Sequence, residues 1–235
     1  MSKEKTKNTY WKDAFKGICV LGIYFLVPIL EPIPFQLLNI DLTTVPTAVK
    51  AIYLLLFEII MLVSIDSIFF DEITEDIEDM KKNHKKYFNK YFKYWFLILF
   101  LMMISNLFIT SVNGGNIAAN EEAVRNTFSV APIYTFVSAV LIAPLLEEFV
   151  FRKGIRKIVR NDLLFIIISG FVFGSLHVLP SYQTPLDLLY LIPYCSLGIA
   201  FAYSYQKSNN IFSTISMHAI HNTLAISLYL MGSVI

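Results

Sequence analysis

Two adjacent carboxylates, Glu147 and Glu148, stand at the end of a long apolar run from Val130 to Leu146, and Arg152 follows one helical turn after the second. A carboxylate inside a membrane segment is costly and by default faces protein or a wet cavity, where it marks function. On a helix Glu148 and Arg152 are i and i+4 and can pair on one face. Glu147 points about 100° away and meets only Val150 and Phe151 at its own i+3 and i+4 places. The spacing therefore gives Glu148 and Arg152 a structural task and leaves Glu147 free. Three of the four histidines, His177, His218 and His221, fall in other apolar runs, whereas His84 sits in a basic, solvated stretch. His218 and Asn222 are i and i+4 on one helix face, and His221 diverges toward the other side.

A buried carboxylate opposed by an imidazole suits general-base activation of water, because desolvation brings a carboxyl group toward a pKa at which it both takes and gives a proton. A second imidazole and a carboxamide on another helix can hydrogen-bond a developing oxyanion. Glu147, His177, His218 and Asn222 would together serve a hydrolase of acyl or peptide bonds. A metal is the other option: Glu147, His177 and His218 form a ligand set for zinc with a position left open for water. The bland readings are an interfacial cap for the two glutamates and hydrogen-bonded interior positions for the histidines. An earlier apolar run carries Glu58 and Asp66, which are either structural partners or a proton or ion path. The sequence has no HExxH helix motif, G-x-S-x-G elbow, P-loop or dinucleotide fingerprint.

The elements that must position these residues cross a membrane. Of 235 residues 56% are apolar and only 16% charged, against roughly 25% charged in soluble domains. Seven segments approach the ~20 apolar residues a bilayer requires: about Ala14–Leu30, Ala48–Phe70, Tyr94–Val112, Phe128–Phe151, Leu163–Leu179, Leu186–Tyr205 and Ile211–Met231. The prediction is an all-α polytopic membrane protein. An acidic then basic linker, Asp71 to Lys93, separates the second and third segments. With the N-terminus in the cytoplasm, only Lys50 and Arg125 of the 19 basic residues lie outside, as the positive-inside rule requires. That topology places Ile235 outside. The first segment reads as a retained helix, since no small-x-small cleavage site follows it. Cys19 and Cys195 lack CxxC spacing and read as packing residues. The net charge of +1 argues against a nucleic-acid partner.

The turn at Asn161-Asp162 makes segments four and five an antiparallel hairpin. Glu147 and His177 are equidistant from it, each about 15 residues or ~22 Å along the axis. Helix four must then continue through its basic end despite Gly154. His218 lies ~10 Å into the seventh segment, so helices four, five and seven can each offer polar groups to one pocket opening toward the cytoplasm.

Glu147-Glu148-x-x-x-Arg152, then Phe173-x-x-x-His177, then His218-x-x-x-Asn222 resemble the three motifs of the CPBP family, the CAAX-prenyl-protease type 2 and bacteriocin-processing (ABI) intramembrane proteases. The resemblance covers about Phe128–Met231. It implies a division into N-terminal membrane helices with a charged linker over 1–127 and a catalytic core over 128–231, within a single membrane domain. By position, Glu147 would activate water with His177, while His218 and Asn222 would bind the oxyanion or complete a metal site. Glu148 and Arg152 would hold the helix. The cofactor is then either a divalent metal such as zinc or none. The implied activity is hydrolysis of a peptide bond in a membrane-associated peptide or protein terminus. In a bacterial membrane, a setting compatible with the high Lys, Asn and Ile content, that means processing of leader, bacteriocin or signalling peptides, or self-immunity. Two further classes stand beside it: a non-catalytic scaffold keeping the fold, and a transporter or proton relay, against which no paired repeat is visible.

Overall fold

The computed structural model describes residues 3–232, with side chains from residue 10 onward; Lys3, Lys5, Lys7 and Ile235 of the topology argument lie outside the described side chains. Every described element is helical. We number the longer helices α1 (Lys3–Leu30), α2 (Thr47–Val112), α3 (Ala119–Val130), α4 (Pro132–Ile158), α5 (Asp162–Val178), α6 (Leu191–Ser208) and α7 (Ile211–Gly232). Among the described residues, five stretches are long and apolar enough to cross a membrane: Tyr10–Leu37, Thr47–Val112, Pro132–Ile158, Asp162–Ser181 and Pro185–Ser208. The chain is a multi-pass, all-α membrane protein.

Two expected boundaries differ. The second and third segments are the apolar ends of α2, whose 66 residues include the charged linker. Straightened, such a helix would run ~99 Å, far beyond a ~30 Å hydrocarbon core. It is not straight, because both halves lie on one bundle. Glu58 in the first half takes hydrogen bonds from Tyr134 and Ser138 of α4, and Thr110 in the second meets Tyr190 just before α6. The helix therefore bends over its charged middle, where the α6–α7 corner grips it. Asn210 Nδ2 donates to the Asp76 carbonyl and to Asp79, and Tyr91 donates to the Lys207 carbonyl. The linker is thus a helical strap. The second difference is at α4, which starts at Pro132 rather than Phe128, after an extended Ala131 (φ −143°), because proline disfavours the helical conformation in the residue before it. It then continues through Gly154 to Ile158. The seventh segment, α7, is a 22-residue helix that falls short of the five in apolar content because it carries Ser213, Thr214, His218, His221, Asn222 and Thr223.

Charged residues gather where α1, α2 and α4 meet below the apolar spans. Lys16 and Lys157 both reach Glu72, at 3.2 and 2.9 Å, and Lys153 pairs with Asp76. Arg156 and Arg160 share a cleft of about 450 Å³ with these groups. The two cysteines are unbonded, as packing residues would be.

The backbones of α5 and α6 approach closely through two glycines. A Cβ added to Gly170 would come within 2.7 Å of the Ile199 nitrogen, and one on Gly174 within 2.6 Å of the Cys195 nitrogen. Small residues allow this contact, which substitutes in lipid for the missing hydrophobic drive between helices. Since overpacking of a tight interface costs about 1–3 kcal/mol, Gly174→Ala is expected to lower the Tm in detergent by several degrees. Gly22→Ala, which has open space around it, should leave the Tm within a degree.

Candidate active site

The site is built on three helices. On α4, the α-turn Ala143–Glu147 is flanked by a wide turn on either side. The Ala143 N–H bonds to the Ser138 carbonyl five residues back, a π turn across Val137–Ile142. Continuing that pattern, the Ala139 carbonyl would need an N–H from residue 144, which is proline and has none. The Asn222 side chain supplies it: its Nδ2 donates to Ala139 O at 2.7 Å. A backbone acceptor left alone in a membrane costs several kcal/mol, so this bond is where the wide turn becomes tolerable. A second wide turn covers Glu148–Gly154, and Glu147 and Glu148 stand at the joint between an α-turn and that one. On α5, Asn161 caps the N-terminus by accepting from the Leu164 N–H at 3.0 Å, and His177 is the penultimate residue. On α7, His218 is buried to 3% exposure.

Glu148 is wholly buried, as is Arg152, and their ion pair spans 3.0 Å from Oε2 to Nε. Its other oxygen, Oε1, accepts from His218 Nδ1 at 3.0 Å, a contact that spacing along one helix could not foresee. Arg152 also donates to Ser169 Oγ, which in turn donates to the Phe151 carbonyl. The guanidinium lies 4.8 Å from the Phe173 ring and 5.8 Å from Phe201. One ion pair thereby ties α4, α5, α6 and α7.

Glu147 Oε2 sits 3.8 Å from Nε2 of His177 and 3.8 Å from Nε2 of His218. His177 Nδ1 is 2.8 Å from the Phe173 carbonyl, and a carbonyl only accepts, so Nδ1 carries the proton. The same holds for His218 Nδ1 against the Glu148 carboxylate. In their neutral forms both imidazoles therefore aim an Nε2 lone pair at Glu147. Three acceptors converging on one point are favourable only around a donor: a proton, the hydrogens of a water, or a cation. Glu147 and His177 keep 14% and 18% of their side-chain surface exposed, so the point is reachable.

The donor types fit zinc, and each imidazole has the oxygen-anchored Nδ1–H typical of metal-bound histidine. The spacing does not: 3.8 Å exceeds the ~3.3 Å between neighbouring ligands in a tetrahedron with ~2.0–2.1 Å bonds. Among the described residues no three His, Cys, Asp or Glu side chains form a ready cage.

The structure thus brings together Glu147, Glu148, Arg152, His177 and His218. Asn222 is directed to Ala139 instead. His221 is buried beside the other two histidines with its Nδ1 unpaired. Asp66 lies partly buried on α2, apart from the cluster. Three aromatic walls line the site, two of them outside any motif. Tyr194 stacks on His177 at 5.2 Å, Phe201 lies 5.0 Å from His218, and Phe173 touches both histidines. Only Phe173, at i−4 from His177, has a spacing that signals it.

Removing one partner of a buried ion pair strands the other charge, at about 3–5 kcal/mol. Arg152→Ala should therefore abolish a folded, monodisperse protein in detergent, read by size exclusion and thermal melting. Glu148→Gln with Arg152→Met, which removes both charges, should recover most of the folded fraction.

Residues 129–224 match the model of the Rce1-like family, described as type II CAAX prenyl endopeptidase Rce1-like. A putative membrane peptidase, YdiL of Bacillus subtilis, is 29% identical over 49% of this chain and 45% of its own length. The membrane-embedded CAAX protease MroQ of Staphylococcus aureus is 27% identical over 55% of this chain and 53% of its own, and the UPF0177 protein YaiF of Lactococcus lactis 30% over 50% and 52%. The chain spans about half the length of these curated relatives. No solved structure matches it. Residues 129–224, which hold all three motifs, are thus similar to the Rce1-like type II CAAX prenyl endopeptidases.

Proposed function

We propose that this chain is an intramembrane endopeptidase that hydrolyses a peptide bond in a membrane-associated peptide or protein terminus, with Glu147 and His177 activating the water. The observation that carries this reading is the pair of imidazole Nε2 atoms, each 3.8 Å from Glu147 Oε2. A water held there donates hydrogens to Glu147 and His177 and presents its oxygen outward. Glu147 takes the proton as that oxygen attacks the scissile carbonyl. The oxyanion that forms accepts a hydrogen bond from Nε2 of His218 once that nitrogen has taken up a proton from solvent, a charge that Glu148 balances through Nδ1. The Asn222 amide, held to Ala139 by one hydrogen, has a second to offer. The C–N bond then breaks as Glu147 returns its proton to the leaving amine, restoring the carboxylate. Stabilising charge where it develops, in a site with little water, is the largest single contribution available to such a centre. The bacterial relatives named as a putative membrane peptidase and a membrane-embedded CAAX protease support peptide-bond cleavage in a cell membrane; leader, bacteriocin or signalling peptides are the substrate class we propose.

The test uses full-length protein in proteoliposomes and a quenched-fluorescence peptide library, one half carrying a prenylated CAAX terminus. Positioned acid–base groups contribute about 10²–10⁴-fold, so Glu147→Ala and His177→Ala should each lower cleavage by that factor with unchanged melting. Cleavage at the wild-type rate in both variants would exclude Glu147 and His177 from the chemistry, and normal biological output from both variants would favour the scaffold. A chelator such as 1,10-phenanthroline should leave the rate within twofold. Loss of activity restored by zinc would instead make Glu147, His177 and His218 ligands of a metal.

A further inference from the structure

Glu58 is an acid in a membrane helix that the chemistry above does not use, and it lies outside the Rce1-like segment. Its Oε1 accepts from both the Tyr134 hydroxyl, at 2.9 Å, and the Ser138 hydroxyl, at 2.8 Å. Ser138 is the residue whose carbonyl opens the π turn of α4. Its neighbour Ala139 is the one whose carbonyl Asn222 takes from the opposite side. Two consecutive residues of the wide turn are thus gripped from α2 and from α7.

We propose that Glu58 is a positioning residue, holding Tyr134 and Ser138 so that the π turn stays wound and Glu147 faces His177 and His218. A π turn carries one residue more than the α-turn it replaces. Relaxing it to α geometry would rotate everything after it by about 100° relative to Tyr134, which moves a carboxylate at side-chain radius by roughly 8 Å. That displacement exceeds the 3.8 Å separating Glu147 from either imidazole. A carboxyl group suits the task because one of its oxygens accepts two hydroxyls at once. The energetic cost of an acid at this depth is offset by the fixed orientation of the turn. The inference rests on reading Glu147 as the acting acid.

The experiment uses full-length protein with ¹⁵N-labelled histidine in micelles. The His177 and His218 imidazole resonances report on Glu147, calibrated with Glu147→Gln, and cleavage of the peptide library is followed in parallel. Glu58→Leu should shift both resonances in the same direction as Glu147→Gln and lower kcat about 10- to 100-fold, as expected for a misplacement near 1 Å or more, with KM within twofold. Glu58→Gln, which keeps the accepting oxygen, should hold both readouts near wild type. Tyr134→Phe with Ser138→Ala removes the donors and should reproduce Glu58→Leu, which covers the case in which the leucine variant does not fold. Wild-type resonances and kcat in the leucine or double variant would overturn the assignment. So would a glutamine variant as damaged as the leucine one. If the wild-type protein cleaves no peptide, the protease reading fails, and the resonances still decide the role of Glu58.

Discussion

The structure depends on a charge that has nowhere else to go. Glu148 is fully buried, and an isolated carboxylate in that environment would cost far more than a domain's whole stability margin. It is tolerable because Arg152 answers it from the same helix and His218 from α7, and because Ser169, Phe173 and Phe201 close around the arginine. The stabilising value of such a pair over an apolar substitute is small; its geometric value is large. Accepting from His218 Nδ1 selects one tautomer of that ring and turns Nε2 toward Glu147. The structural glutamate thereby sets the chemistry of its neighbour, much as an outer-shell carboxylate orients a catalytic histidine.

A second constraint comes from the backbone. Hydrocarbon offers no water to satisfy a broken helical bond, yet α4 departs from α geometry both before and after Glu147. The first of these departures is gripped by polar side chains from two neighbouring helices. Asn222 replaces the N–H that Pro144 lacks, and Glu58 holds the hydroxyl of Ser138. Polar residues inside the bundle are thus accounted for as partners of an irregular helix. On the basic side, the ion pairs of Lys153 and Lys157 with Asp76, Glu72 and Asp13 fasten the end of α4 to the strap of α2 and to α1.

How much of this is legible in the sequence follows from the range of each interaction. The Glu148–Arg152 pair is a neighbour relation on one helix, and its spacing announces it. The meeting of Glu147 and His177 requires only a hairpin turn and equal arm lengths, so it too can be read, and the three motifs narrowed the family. The bend in α2 cannot be read, because a charged stretch of good helix formers looks the same as a linker until Asn210 and Tyr91 find their partners. The wide turns are hidden for a related reason. Pro144 signals a missing donor, but whether the helix kinks or widens depends on Asn222, more than 70 residues away. Likewise the contact of Glu148 with His218 and the stacking of Tyr194 on His177 are choices made by the packed bundle. Composition reports that seven stretches are apolar; it underrates α7, whose polar face is the one the site requires.

The central claim is that Glu147 and His177 act on one water as a unit, and a double-variant cycle on kcat/KM tests it most directly. Groups that share a step are grossly non-additive. The account predicts that Glu147→Ala/His177→Ala loses no more activity than the worse single variant. Losses that multiply, each variant subtracting its own factor, would mean two independent contributions and would contradict the shared water.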